Sequence, residues 1–381
     1  MAMAGAPIQR SPLKMSNPED AARSALESFI APDFDQPLEG ALSVRECTLD
    51  GEKLRLDIEL GFPIGGYEAR FVEALQKHLT DSGLGKRPIE LALSSSILAQ
   101  SLQRSLKPLK GVKNVIAVAS GKGGVGKSTV AVNLALAWAA AGARVGILDA
   151  DIYGPSMPLM LGLTGQHPTS PDGKRVRPLQ AHGVSAISVG FLVDAGEAVI
   201  WRGPMVTRAL MQLINDTEWG DLDYLVVDMP PGTGDIQLTL AQQVPVAGAV
   251  IVTTPQDISL ADARKGVAMF QKVSVPVLGI VENMSLHVCS NCGHVEHIFG
   301  SGGGARMAKE YQLELLGELP LDIHVREEAD GGKPTVVAAP DSERAAPYYR
   351  TARRTAAALA RRGSETGGGS QAFPKISIEQ T

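Results

Sequence analysis

Residues Gly121-Lys122-Gly123-Gly124-Val125-Gly126-Lys127-Ser128-Thr129 place glycines, lysines and hydroxyls at a spacing suited to holding phosphate. Glycines permit the positive φ angles that curl a loop and turn successive N–H groups inward. An apolar run before them, Val115 to Ala119, reads as a buried strand, and Val130 to Ala141 reads as a helix. Strand, glycine loop, Lys-Ser/Thr and helix form a P-loop, with the helix N-terminus adding partial positive charge. Lys127 is expected to reach the β- and γ-phosphates of ATP, and Ser128 to hold Mg²⁺. Two acidic loops are expected beside it: Asp149-Ala150-Asp151-Ile152-Tyr153-Gly154-Pro155-Ser156 and Asp228-Met229-Pro230-Pro231-Gly232-Thr233-Gly234-Asp235. Each begins where an apolar strand ends, and Mg²⁺ takes carboxylates through its waters. Asp228, after Tyr224 to Val227, is the natural Walker-B acid. A γ-phosphate bound between the two loops would move both.

A second chemical group is Cys289-Ser290-Asn291-Cys292-Gly293-His294. Two thiolates separated by two residues suit Zn²⁺ or an iron–sulfur cluster. A lone pair supplies only two of four ligands, so three arrangements are open. In the first, two chains each give a pair to one shared cluster; in the second, His287, His294 or His297 completes a zinc site; in the third, the thiols form a thioredoxin-like redox pair. Cys47, the third cysteine, reads as a core or strand residue.

The surrounding chain must position these groups. Length 381 suggests two or three domains, and a hydrophobic fraction of 44% is ample for a core. Net charge is −5, which does not suggest nucleic acid as a partner. Three cysteines are too few for a disulfide framework and fit a reducing, cytoplasmic setting. No charge-free apolar run reaches the roughly 18 residues of a membrane span, so no membrane partner is expected. From residue 114, apolar strands at 114–119, 144–149, 184–189, 223–228, 247–253, 275–281 and near 313–317 alternate with helices near 128–141, 204–216, 236–243, 258–273, 303–311 and 346–361. That pattern predicts an α/β fold with a mostly parallel, doubly wound sheet whose ligands gather at the carboxyl ends of the strands.

A small α+β unit is expected ahead of it, over 17–106. Pro18 to Phe29 reads as a helix with Ala22, Leu26 and Ile30 on one face. Ala41 to Cys47, Leu54 to Leu60 and Ile89 to Leu93 read as strands, and a second helix begins at Gly66. The main unit is set at 107–361, after a basic linker, Ser101 to Lys113. Residues 1–16 and 362–381 read as disordered tails.

Lys122 is not required by a simple P-loop. With it, Gly-Lys-Gly-Gly-Val-Gly-Lys-Ser resembles the deviant Walker A motif. Together with the two acidic loops, Trp201-Arg202-Gly203-Pro204-Met205, Asn283-Met284-Ser285 and Cys289-x-x-Cys292-Gly293, this motif makes residues 107 to 361 resemble the Mrp-type iron–sulfur cluster carrier ATPases. These share a broad class with the nitrogenase iron protein and the bacterial division and partition ATPases.

The resemblance implies a homodimer that binds and slowly hydrolyses ATP. It also implies a [4Fe–4S] cluster carried between two Cys-x-x-Cys pairs and transferred to apo-proteins. By position, it implies that Lys122 acts in trans on the partner's nucleotide, like an arginine finger. Gly121 and Gly123 to Thr129 would bind phosphates, Asp149 would help hold the metal site, and Asp151 would orient the attacking water. Asp228 would hold Mg²⁺ through water, Asn283 would read the adenine edge, and Cys289 and Cys292 would ligate the cluster.

The unit over 17–106 resembles the iron–sulfur assembly domain that often precedes such ATPases. The cysteine common there is replaced by Gly61-Phe62-Pro63-Ile64-Gly65-Gly66, which implies docking in place of cluster handling. Two rivals fit fewer of the residues. A partition or division-type ATPase leaves the cysteines unused, and a zinc-stabilised regulatory NTPase uses them without iron.

Overall fold

The computed structural model describes residues 18–85, 87–100, 106–192 and 203–365. Arg104, Trp201, Arg202, the expected tail over 1–16 and residues 366–381 of the tail expected over 362–381 lie outside the described residues; residues 362–365, expected in that tail, instead continue the last helix to Glu365.

The chain opens with α1 (Pro18–Glu27), β1 (Leu42–Asp50), β2 (Lys53–Leu60), α2 (Glu68–Leu79) and β3 (Ile89–Ser95). The three strands form a sheet in the order β1-β2-β3, with β1 antiparallel and β3 parallel to β2. Alternation in β2 works as expected, since Leu54, Leu56, Ile58 and Leu60 are all buried. Helix α1 is shorter than expected: it stops at Glu27, which leaves Ile30 outside it and 51% exposed.

The rest of the fold follows as β4 (Val112–Ser120), α3 (Lys127–Ala140), β5 (Val145–Asp149), α4 (Met157–Met160), β6 (Leu179–Ala181), β7 (Val184–Ser188), α5 (Gly203–Asp216), β8 (Leu222–Asp228), α6 (Asp235–Gln243), β9 (Val246–Thr253), α7 (Asp257–Lys272), β10 (Val277–Glu282), β11 (His287–Val288), β12 (Val295–Glu296), α8 (Gly303–Tyr311), β13 (Glu314–Glu318), α9 (Ile323–Asp330), α10 (Thr335–Ala338) and α11 (Ala346–Glu365). Eight strands form one sheet in the order β13-β10-β9-β4-β8-β5-β7-β6. All neighbours are parallel except β6, an antiparallel edge on β7. Strands β5, β8, β9 and β10 are buried along their whole length, because helices cover both faces of the sheet. No described helix is long and apolar enough to cross a membrane.

Helix α3 is buried nearly all round, which explains why Val130 to Trp138 carries almost no polar residue. Its outer side meets α11, where Trp138 Nε1 donates to the Ala352 carbonyl at 2.8 Å. Its inner side stacks Trp138 on Tyr224 of β8, with centroids 4.7 Å apart. Asn133 accepts from Val336 N at 3.1 Å and so pins α10 to the same helix.

The first unit packs against α11 through charge. Arg353 pairs with Asp33 at 2.6 Å and lies 4.6 Å from the Tyr67 ring centroid; Arg354 pairs with Asp35 at 2.7 Å. Burial raises the Asp33 carboxyl, but Arg353, Arg70 and Arg350 outweigh it and hold the pKa below the ordinary value. Where the resemblance would place a cysteine, Phe62 and Ile64 are buried, and Gly65 N donates to the Ala141 carbonyl at 3.0 Å.

Candidate functional site

Strand β4 ends at Ser120, and the loop from Gly121 feeds straight into α3. Gly126 caps that helix in the left-handed region, with φ +80. No side chain fits there, because a Cβ on Gly126 would overlap the Asn283 amide. The loop is closed from two sides. Ser120 Oγ donates to the Lys122 carbonyl at 2.9 Å, and Gly232 N, from the loop after β8, donates to the Ser120 carbonyl at 2.9 Å. Lys122 itself is partly exposed.

Lys127 lies almost wholly inside. Its Nζ sits 2.6 Å from Asp228 Oδ1 and 3.2 Å from Ser128 Oγ. Asp228 is fully buried, and its Oδ2 has no hydrogen-bond partner. Burial pushes the Asp228 carboxyl up, against the lowering pull of Lys127 and of the Ser128 hydroxyl.

Asp149 is the register partner of Asp228 on the neighbouring strand. It is also fully buried, and burial together with the Asp228 charge pushes it up to about 7. Its Oδ2 accepts from Ser156 N at 2.9 Å, Met157 N at 3.1 Å and Ser188 Oγ at 3.0 Å, while Oδ1 accepts from Asp151 N at 3.1 Å. Four donors of its own chain therefore engage Asp149, which holds the loop bearing Asp151. Asp151 is half-buried and faces both charges: burial and Asp228 raise it, while Lys127 and the N–H groups of Gly154 and Tyr153 lower it. The expected phosphate-site residues are thus gathered at the carboxyl ends of β4, β5 and β8.

Asn283 joins them from the end of β10. Its Nδ2 donates to the Val125 carbonyl at 2.8 Å, and its backbone N donates to the Thr253 carbonyl at 2.8 Å. The resemblance implies that this amide reads an adenine edge; here its donor braces the P-loop.

Cys289 and Cys292 sit at the tip of a small hairpin in which β11 and β12 pair His287 with Glu296 and Val288 with Val295. Cys289 N donates to the His294 carbonyl at 2.9 Å, and Gly293 N donates to the Cys289 carbonyl at 2.8 Å. This turn points the N–H groups of Cys292 and Asn291 at the Cys289 sulfur. Those donors, with the Cys292 thiol, hold the Cys289 pKa below the ordinary value. Cys292 is exposed, and the flanking Val288, Val295 and Ile298 are about half exposed.

The pair is in a hairpin, without the strand-to-helix setting of a thioredoxin-like site. Among the described residues, no group of three or more His, Cys, Asp or Glu gathers to hold a metal. His287 Nδ1 donates to the Leu321 carbonyl at 2.9 Å, and His297 Nδ1 donates to the Ser285 carbonyl at 2.8 Å, so both rings brace the hairpin base. Cys47 is buried in the first unit, where burial raises its thiol.

Three site residues were not foreseen from sequence. Ser188 supports Asp149, Ser120 closes the P-loop, and buried Glu282 accepts from Gly304 N at the start of α8. Glu282 does carry a visible signal, as an acid ending an apolar strand.

A family model described as "ParA: NUBPL iron-transfer P-loop NTPase" matches residues 111–356. An iron-sulfur cluster carrier protein of Haemophilus influenzae is 50% identical, covering 91% of this chain and 93% of that protein. The protein of that name from Escherichia coli is 60% identical, covering 72% and 74%. The mouse iron-sulfur cluster transfer protein NUBPL is 51% identical, covering 68% and 81%. A nucleotide-binding protein of Archaeoglobus fulgidus, solved in complex with ADP, superposes with a TM-score of 0.53 at 39% identity, covering 58% of this chain and 88% of that one.

Proposed function

This chain belongs to the NUBPL-type family of iron-transfer P-loop NTPases, whose relatives are iron–sulfur cluster carrier and transfer proteins, and we propose that it is an ATP-hydrolysing carrier that shares one [4Fe–4S] cluster between two copies and passes it to apo-proteins. The cysteine hairpin is the observation that carries this reading. It presents two thiols at an exposed tip, with N–H donors on one sulfur and no third ligand gathered among the described residues. Such a site holds half of a Cys₄ set, and a second copy supplies the other half. The cluster is cargo, so an exposed and incomplete site serves loading and release.

At the other site, Lys127 leaves Asp228 to reach the β- and γ-phosphates of ATP. The orphaned Asp228 Oδ2 and the neighbouring Ser128 hydroxyl are the hard oxygen ligands that suit Mg²⁺. Ser128 and Asp228 would hold Mg²⁺, which neutralises charge on the phosphate oxygens when bound. Gly121 and Gly123 to Thr129 cradle the phosphates, and Lys122, partly exposed, reaches the nucleotide of the second copy. Asp151, fixed by the loop that Asp149 anchors, orients the water. Water attacks the γ-phosphorus, the bond to the bridging oxygen breaks, and ADP and phosphate leave. Hydrolysis is slow because it resets a switch. The unit over 17–106 docks against the ATPase unit over 107–361, and the carrier works in the cytoplasm.

The test is anaerobic reconstitution with iron and sulfide, followed by incubation with an apo-protein. About four irons and four sulfides per two chains are expected, by the Cys₄ rule, with ATP-dependent gain of cluster by the recipient. Stoichiometric zinc in the native protein, or iron uptake unchanged by replacing both Cys289 and Cys292 with Ala, overturns the reading.

A further inference from the structure

Residues 283 to 302 leave the sheet at β10 and return at α8, carrying both cysteines. The base of this excursion is closed by buried Glu282, whose Oε2 accepts from the N–H group of Gly304. At that base Asn283 reaches sideways into the P-loop and takes the Val125 carbonyl at 2.8 Å. Cluster ligation alone does not require this contact.

Its consequence follows from peptide geometry. The Val125–Gly126 bond is trans, so its C=O and N–H point to opposite sides of the chain. An amide that fixes the Val125 carbonyl therefore fixes the Gly126 N–H in the opposite direction, away from Asn283. We propose that Asn283 is a positioning residue that aims the Gly126 N–H at bound phosphate and thereby ties the phosphate state of the P-loop to the pose of the cysteine hairpin. The coupling to cargo rests on the carrier reading above; the aiming of Gly126 does not.

The link onward is short. Met284 stands in the left-handed region, with φ +56, a conformation that costs about 1–2 kcal/mol for a residue with a side chain. Its strain is held by Asn283 on one side and Ser285 on the other. Ser285 N and Oγ both donate to the Leu319 carbonyl, at 2.9 and 3.1 Å. The Ser285 carbonyl takes His297 Nδ1 at 2.8 Å, one residue past β12. Phosphate on the Gly126 N–H strengthens the Asn283 bond by polarising the shared peptide, and linkage makes the effect reciprocal.

The probe is tripolyphosphate, which has no base to read. Asn283→Ala should bind it about tenfold more weakly than wild type, the worth of one such hydrogen bond. Equal affinity overturns the aiming role and leaves Asn283 an adenine reader. A second readout is the alkylation rate of Cys289 and Cys292, resolved by peptide mass spectrometry in cluster-free protein. In wild type, saturating tripolyphosphate should change this rate about fivefold, the low end of a coupling energy. In Asn283→Ala the change should vanish. His297→Ala keeps the P-loop intact, so it should retain tripolyphosphate affinity and lose the thiol response, which guards against a misfolded first variant. Thiols that ignore tripolyphosphate in wild type, or that respond equally in both variants, overturn the coupling. Iron and sulfide content is read separately: a protein that loads cluster without the thiol response sinks this inference alone, and one with the response but no cluster sinks the carrier reading alone.

Discussion

Two loops rise from the carboxyl edge of one sheet and are built on opposite terms. At the P-loop the central charges, Lys127, Asp149 and Asp228, are buried, and the chain neutralises itself: Lys127 sits against Asp228, and four donors surround Asp149. At the cysteine hairpin both cysteines are at least partly open, the strands are two residues long, and among the described residues no group of three or more His, Cys, Asp or Glu gathers. The first loop is preformed and waits for a ligand to displace an internal contact. The second, on the carrier reading proposed above, is unfinished and waits for an external group to complete it. On that reading stability resides in the phosphate end, and exchange resides in the cysteine end.

Replacing both Cys289 and Cys292 by Ala is the largest test of that contrast. Anaerobic iron uptake should be abolished, whereas the midpoint of thermal unfolding should move by no more than about 2 °C, as for surface changes in a chain of this size. A large fall in the midpoint would show the hairpin to be structural, and the contrast would collapse.

Lys127→Ala probes the other end. Nucleotide affinity or turnover should drop by about 10²–10³, the usual effect of removing one charge-stabilising donor. Unlike the cysteine change, it should also cost stability, about 1–3 kcal/mol for leaving a buried acceptor unmatched. That cost should shrink as pH falls, because the stranded Asp228 takes up a proton. Calorimetry at two pH values checks both statements, and a stability cost that is independent of pH would contradict the self-neutralising picture.

Gly126→Ala sharpens the geometry of the same loop. A Cβ on a residue at φ +80 would press into the Asn283 amide, so the change combines backbone strain with loss of the Val125 contact. The expected destabilisation is about 1–3 kcal/mol. The alanine variant should bind ADP poorly even when folded; ADP affinity equal to wild type would show the strained cap to be dispensable.

The contrast between the two ends was unevenly legible in the sequence. Continuous apolar runs such as Tyr224 to Val227 name parallel strands because both faces are buried, and the glycine loop names itself by its context. Strand β6 escaped notice because it has three residues and turns through His182, at φ +50, where Asn or Asp is the usual signal. The β11–β12 hairpin escaped for a related reason: two-residue strands in a polar loop leave no periodicity. Helices α9 and α10, of 8 and 4 residues, are too short for a helical period to stand out. The overlong α1 came from extending a periodic face to Ile30 past the true end at Glu27. At the site, residue types were readable but partners were not. Nothing in Asn283 or Ser188 shows that one will hold Val125 and the other Asp149, since both contacts arise from strand order.

Asp149 gives the smallest and most discriminating test. Its folded pKa stands near 7, raised by burial and by the Asp228 charge, against an ordinary value of 3.8. A carboxyl raised on folding binds its proton more tightly in the native state. Its stabilising contribution is thus complete below pH 3.8 and is lost as pH rises to about 7. The slope cannot exceed about 1.4 kcal/mol per pH unit for one group, and coupling to Asp228 spreads it over a wider range. Asp149→Asn should remove most of that slope. It should also lower stability slightly at acid pH, because an amide offers one acceptor where the carboxyl offers two and so meets the Asp151 N–H with another donor. Urea melts at pH 4, 5.5 and 7 measure both effects. If wild type and variant keep the same slope, the carboxylate pair is already ionised in the folded protein, and the phosphate end is held by its hydrogen bonds more than by self-neutralised charge.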